Sequence, residues 1–287
     1  MDSFDNRLFK LVDDALVEDV GNGDHSTLCC IPASAKGKAV LKIKQEGILA
    51  GVEVAEKIFR YKHPKAIFLQ KKTDGATMQY GETAFEVESS VHSILQCERL
   101  VLNIMQRMSG IATLTNQYAE KLKGHHTKLL DTRKTTPNFR LLEKEAVRIG
   151  GGVNHRFGLY DMIMLKDNHI DYCGGIESAI DRAFAYVQSF HPNLMVEVET
   201  RSLEDVKKVL KVGQGKVQRV MLDNYAPDAV RIAVELIGGI FETEASGGIN
   251  LETIELFAKT GVDYVSVGGV IHQAQSIDLS LKAVLQN

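Results

Sequence analysis

Apolar positions fall into two textures along this chain. Over residues 4 to 18, Phe4, Leu8, Leu11, Val12, Ala15 and Leu16 recur at helical spacing, which predicts an amphipathic helix closed by GNGD at 21 to 24. The stretches AVLKIKQEGILAG and TAFEVESS alternate instead, as half-buried strands do, and DGATMQYG between them reads as a turn. CERLVLNIMQRMSGIATLTNQYAEKLK, residues 97 to 123, returns to a helical pattern. The texture changes near Ser109 and Gly110, so the expected organisation is a small N-terminal α+β domain over 1–110 and a second domain over 111–287.

In that second part, strand and helix alternate. KLLDTR, MIMLK, LMVEVE, RVMLD, GIFETEAS and YVSVGG read as strands, and IESAIDRAFAYVQSF, LEDVKKVLKV, PDAVRIAVELI and LETIELFAKT as helices. Such alternation implies a parallel sheet with crossover helices. Six units in about 160 residues suit an incomplete α/β (TIM-like) barrel better than an open doubly wound sheet. Polar residues end every strand: Asp131 and Arg133, Lys166, Glu197 and Glu199, Asp223, Ser246, Ser266. Barrel geometry brings such ends to one mouth, where active sites of these folds lie.

Composition narrows the function. A formal charge of -3 over 287 residues, with 44% hydrophobic and 25% charged content, argues against a global nucleic-acid or membrane-surface binder. The opening residues lack the uninterrupted apolar core of a signal peptide, and no stretch is long and apolar enough to cross a bilayer. The expectation is a cytoplasmic protein with no nucleic-acid or membrane partner. The four cysteines, Cys29, Cys30, Cys97 and Cys173, show no zinc-ligand spacing and read as reduced thiols.

Any anion site must therefore be local, and DTRKTTPNFRLLEKEAVRIGGGVNHRFGLYDMIMLKDNHI (131 to 170) supplies one. Arg133 and Arg156 offer forked guanidinium groups to carboxylate or phosphate, and Lys134 and Lys166 offer point charges. His155 either donates to an anion or satisfies a backbone carbonyl. The turns ASGGIN and SVGGVI, with a helix expected just after Gly248, suit a phosphate cradle after the last two strands. Acidic strand ends in EVE and LDN suit either Mg²⁺ held with substrate phosphates or salt bridges inside the mouth. No nucleophile elbow, Walker loop or dinucleotide fingerprint is present, which points to catalysis by positioning and electrostatics.

The same run resembles the signature of the quinolinate phosphoribosyltransferase family, the carboxylating nicotinate-nucleotide pyrophosphorylases. LVEDVGNGDHST, EGILAGVEVAEKIF, ERLVLNIMQRMSGIAT, VEVE, MLDN, ASGGIN and VDYVSVGG follow in the family's order over almost the whole chain. Asn138 is a departure, standing where the family usually has glycine.

The resemblance implies an N-terminal α+β sandwich domain followed by an incomplete α/β barrel, in a homodimer or a higher assembly of dimers that joins quinolinate to 5-phosphoribosyl 1-pyrophosphate with Mg²⁺. The products are nicotinate mononucleotide, pyrophosphate and CO₂, for NAD biosynthesis. Position by position, Arg133, His155, Arg156 and Lys166 resemble the residues that hold the quinolinate carboxylates and nearby phosphate oxygens. Lys134 resembles the lysine on the pyrophosphate side, and Glu197 and Asp223 the acidic pair near ribose and metal, with Glu197 favoured over Glu199. Ser246, Gly247, Gly248, Gly268 and Gly269 resemble the 5'-phosphate cradle, and Arg99 an arginine lent to the neighbouring subunit. The alternative is a ModD-like relative acting on another anionic acceptor.

Overall fold

Ser3 opens the first helix of this computed structural model, which describes residues 3–284. Its side chain accepts from Asn6 N–H at the head of α1 (Phe4–Val20), and Asp24 accepts likewise from Thr27 at the head of α2 (His25–Cys30). Then come β1 (Lys36–Ile43), β2 (Gly47–Ile48), α3 (Val52–Lys62), β3 (Ile67–Gln70), β4 (Thr77–Met78), β5 (Thr83–Ser90) and α4 (Val91–Lys121). From there strand and helix alternate: β6 (Lys128–Leu130), α5 (Arg140–Ile149), β7 (Ile163–Leu165), α6 (Asp167–Cys173), α7 (Ile176–Phe190), β8 (Val196–Thr200) and α8 (Leu203–Val212). The rest runs β9 (Arg219–Asp223), α9 (Pro227–Ile237), β10 (Glu242–Ser246), α10 (Ile254–Ala258), β11 (Tyr264–Ser266), α11 (Gly269–His272) and β12 (Leu279–Val284). Among the described residues no helix is long and apolar enough to cross a membrane.

Two compact units result. One comprises Met1–Asn116, Thr135–Gly151 and Ile271–Asn287, and the other Gln117–Lys134 and Gly152–Val270. The first holds an antiparallel sheet in the order β12-β1-β5-β3. Alternation along β1 buries Ala39, Leu41 and Ile43, and β12 lays Leu279 and Leu281 opposite Ile43 and Leu41. Phe85 on β5 meets Phe59 of α3 edge-on and Phe68 of β3 at 4.5 Å, contacts that add about 0.5–1.5 kcal/mol each beyond their buried area. The segment read from sequence as a turn also carries β4, which pairs with β2. At Gly110 of α4 a side chain has no room, because a Cβ would stand 2.0 Å from the Gln275 carbonyl oxygen.

A buried carboxylate organises the turn after Lys134. Glu143, with 0% of its surface exposed, accepts from Thr136 N–H at 2.8 Å and from Thr136 Oγ1 at 2.9 Å. Arg107 donates to the same carboxylate at 2.8 and 3.0 Å, and also to the carbonyls of Ile271 and Ala274. The backbone then turns through Asn138 at φ 61°, a left-handed conformation that asparagine adopts more readily than other side chains.

The second unit contains a six-stranded, all-parallel sheet in the order β6-β11-β10-β9-β8-β7. Strand order follows chain order except that β6 sits beside β11, the neighbour it would have in a barrel. No ladder joins β6 to β7; instead Val153 runs parallel to β6, bridged to Leu130. The strands are short and the central ones buried on both faces, as crossover helices require.

The left-handed turn gives a stability test. Asn138→Gly is expected to shift the unfolding free energy by less than about 1 kcal/mol, because relief of backbone strain and added unfolded-state freedom oppose each other. Asn138→Val is expected to cost about 1–2 kcal/mol. Urea denaturation midpoints compare them, and a valine variant as stable as the parent would show that the turn relaxes freely.

Candidate active site

Backbone pairing beside β6 places the first chemical groups. Val153 N–H donates to the Leu129 carbonyl at 2.8 Å and Asp131 N–H to the Val153 carbonyl at 3.2 Å. Two residues on, His155 N–H donates to Asp131 Oδ1 at 2.8 Å. The glycine-rich GGGVNHR loop is thereby tied to the strand that leads into Arg133. Its imidazole then reaches across the unit: His155 Nε2 lies 2.9 Å from Glu197 Oε2 on β8 and 3.3 Å from Glu244 Oε2 on β10. A side chain from the β6 side meets both strands because the sheet is curled.

Arg219 completes this interior network. It donates to Glu244 at 3.2 Å and to Glu242 at 2.9 and 3.1 Å, and its guanidinium lies 4.1 Å from the centre of the Tyr264 ring. Arg219, Glu242 and Tyr264 are the first residues of β9, β10 and β11, so they seal the amino-terminal end of those strands. Glu197 and Glu244 are fully buried, and each keeps one carboxylate oxygen without a protein hydrogen-bond partner.

Burial works against the imidazolium, yet Glu197 and Glu244 outweigh it and push the His155 pKa up to about 9. Burial and the Glu244 charge push Glu197 up to about 7. Glu244 ends below its ordinary value in spite of burial, because His155, Ser266 and Arg219 stabilise its charge.

Around the carboxyl ends the groups form a ring. After β6 come Arg133 and Lys134, and the Lys134 N–H donates to Thr132 Oγ1 at 3.0 Å. Arg156 is half-buried, donates to the Met162 carbonyl at 3.2 Å, and has its pKa lowered by burial and by the neighbouring Arg133. Lys166, just after β7, lies 3.4 Å from Glu199 at the end of β8. Asp223 ends β9 and accepts from the Asn224 amide at 2.7 Å; Asn224 N–H donates in turn to the Ser246 carbonyl at the end of β10. Gly247 follows at φ 96°, where a Cβ would come within 2.1 Å of Asn224 Oδ1, so no other residue fits. Gly268 and Gly269 follow the adjacent β11, and Val267 N–H donates to the Leu130 carbonyl, back at β6.

Several sequence-based expectations change here. Glu197 is not a mouth residue: it lies level with Arg219, four positions before Asp223 on β9, or about 13 Å along the strands. Glu197 and Asp223 therefore cannot hold one metal ion. Glu199, 7% exposed and beside Lys166, is the member of EVE at the mouth. His155 was expected to touch substrate, but its ring faces the interior carboxylates. His155, Glu197 and Glu244 bring donor atoms within 4.8 Å of one another, and in this structure the imidazole and the two carboxylates are engaged with each other. No helix starts at Gly248; α10 begins at Ile254.

Arg99 is exposed on α4, in the other compact unit. Sequence reasoning missed Glu244 and Arg219. The alternation in FETEAS marks Glu244 as inward-facing and was the available signal.

A curled parallel sheet with cations and carboxylates at its carboxyl ends defines a barrel enzyme built for polyanionic substrates. The comparisons make this specific. The family profiles "Quinolinate phosphoribosyl transferase, N-terminal domain" and "C-terminal domain" match residues 24–109 and 111–282, so the chain belongs to the quinolinate phosphoribosyltransferase family. It is 42% identical over 281 residues to the chloroplastic carboxylating nicotinate-nucleotide pyrophosphorylase of Arabidopsis thaliana, covering 93% of this chain and 80% of that protein. A probable carboxylating nicotinate-nucleotide pyrophosphorylase of Bacillus subtilis is 41% identical, over 98% of this chain and 95% of the relative. Among solved structures, NadC from Streptococcus pyogenes superposes with a TM-score of 0.91 at 40% identity, covering the whole of both chains.

Two outcomes follow from the interior network. Glu244→Leu leaves His155 and Arg219 undercompensated and is expected to cost about 3–5 kcal/mol of stability, measured by urea denaturation. Native His155 holds its proton to about pH 9, whereas a free imidazole releases it near 6.5. Its stabilisation is therefore complete below pH 6.5 and lost as pH rises through 9. His155→Gln should flatten the stability profile across that window; an unchanged slope would remove His155 as its source.

Proposed function

We propose that this chain catalyses transfer of a phosphoribosyl group from 5-phosphoribosyl 1-pyrophosphate to quinolinate, with decarboxylation to nicotinate mononucleotide in NAD biosynthesis. Family membership supports the reaction, and one observation supports its site: burial, and after it the Arg133 charge, lower the Arg156 pKa, so the two guanidinium groups repel. An anionic ligand relieves that repulsion. Quinolinate brings two carboxylates, which match two guanidinium forks. No observation favours another acceptor.

On this reading Arg133, Arg156 and Lys166 orient the quinolinate ring, and Lys134 takes the pyrophosphate side. Ser246 and the turns at Gly247, Gly248, Gly268 and Gly269 take the 5'-phosphate. Holding the ring nitrogen against the anomeric carbon removes an entropic cost that reaches roughly 7–11 kcal/mol in well-oriented cases. As pyrophosphate leaves, its growing negative charge meets Lys134, and the cationic ribose meets the carboxylates of Glu199 and Asp223. The pyridinium nitrogen then withdraws electrons from C2, so CO₂ departs and a proton takes its place.

Mg²⁺ belongs to the proposal. Hard carboxylate oxygens suit it, and Asp223 and Glu199 are the acidic groups at the strand ends, whereas Glu197 is committed to His155. Bound there with substrate oxygens, the ion would offset pyrophosphate charge. We also place the protein in the cytoplasm, in keeping with four free thiols. A homodimer, or an assembly of dimers, is likewise proposed, with the exposed Arg99 offered to the neighbouring subunit.

The deciding assay supplies phosphoribosyl pyrophosphate, Mg²⁺ and either quinolinate or nicotinate. Nicotinate mononucleotide with equimolar CO₂ is expected from quinolinate only, and chelation of the metal should abolish turnover. Arg133→Ala and Lys166→Ala should each lower kcat/KM for quinolinate at least about tenfold. Turnover of nicotinate at the same rate would refute the two-carboxylate site.

A further inference from the structure

α2 ends in two neighbouring cysteines that nothing above uses. Cys29 and Cys30 are both exposed and both free, and their sulfurs stand 3.3 Å apart. The Cys29 thiol also lies 3.3 Å from the Ser26 carbonyl. The pair thus already converges on one point in space.

Two fates are open to such a pair, and the geometry separates them. A disulfide normally joins α-carbons about 4.4–6.8 Å apart. Adjacent residues across a trans peptide are fixed at about 3.8 Å, so oxidation to a Cys29–Cys30 bridge would strain the backbone. Chelation carries no such restriction. Two sulfur bonds of about 2.3 Å span about 3.8 Å at a tetrahedral centre, and about 3.3 Å when the angle closes to near 90°. The observed separation matches the narrower angle, that of a pyramidal trivalent centre with a lone pair.

We propose that Cys29 and Cys30 form a bidentate site for trivalent arsenic compounds. In the binding step two S–H bonds and two As–OH bonds break, two As–S bonds form, and two waters leave. Arsenic stays trivalent and neither sulfur is oxidised. The Cys29 hydrogen bond raises the Cys30 pKa, which keeps that thiol protonated. A divalent cation that needs two thiolates is thereby disfavoured, whereas condensation with an arsenic hydroxide consumes thiols as they stand.

The other two cysteines lack these properties. Burial pushes the Cys97 thiol up to about 11, and Cys97 is shut away on α4. Cys173, half-buried on α6, has the Ser178 hydroxyl 3.7 Å from its sulfur and no neighbouring cysteine in sequence. A single sulfur loses the chelate advantage, which is on the order of 10²-fold or more for a second tethered contact.

The test titrates the full chain, kept reduced by a phosphine, with phenylarsine oxide, reading intact mass and thiol count. One arsenical per chain is expected, with two thiols lost and both regained on adding ethanedithiol. Cys29→Ser and Cys30→Ser should each weaken binding about 100-fold, and Cys173→Ser should leave it unchanged. Melting temperatures check that the variants keep the fold. Parent-strength binding by Cys29→Ser, or a parent adduct that consumes a single thiol, would overturn the proposal.

Discussion

An imidazole held between two buried carboxylates is the contact on which the rest of the site depends. Barrel interiors of this kind are usually filled by branched apolar side chains. Here Glu197, Glu244, His155 and Arg219 occupy that space, and each is tolerated only because the others compensate it. The arrangement is costly to desolvate, but it gives direction where apolar packing would not. His155 is drawn toward β8 and β10, its N–H is anchored on Asp131, and Arg156 follows immediately in the chain. The orientation of the two basic arms, DTRK and HR, is thus set from beneath.

Charge is layered along the strands as a result. Below the mouth, acid and base are matched within a few ångströms. At the strand ends cations predominate: Arg133, Lys134, Arg156 and Lys166, against Glu199 and Asp223. The excess is local, since the whole chain is slightly acidic. On the proposed function, cations fixed at the strand ends would stabilise negative charge as it develops.

How far this was legible depended on the kind of signal. Helices α7, α8 and α9 carried wide apolar stripes and clear boundary chemistry, such as the Ser202 cap, Pro227 at the first turn and Gly238 at the end, and their limits are those read from sequence. By contrast α3 opens with VEVA, which alternates like a strand, and β12 takes its meaning from a partner more than 200 residues away. The basic residues stood out because they cluster in sequence. In EVE, however, both glutamates face the same way, and only strand register tells which lies at the mouth. Glu244 was hidden for the same reason: an inward-facing acid in a strand has no mark of depth.

The pairing of β1 with β12 has a consequence for the order of synthesis. Lys38 lies opposite Val284, so β1 leaves the ribosome more than 200 residues before the strand that covers that edge. The parallel sheet, built from residues 128 to 266, is translated in full before β12 appears. On the ribosome the antiparallel sheet therefore receives its last strand after the parallel sheet has been synthesised. Until then the β1 edge stands open, a template for unwanted pairing that a holding chaperone would shield.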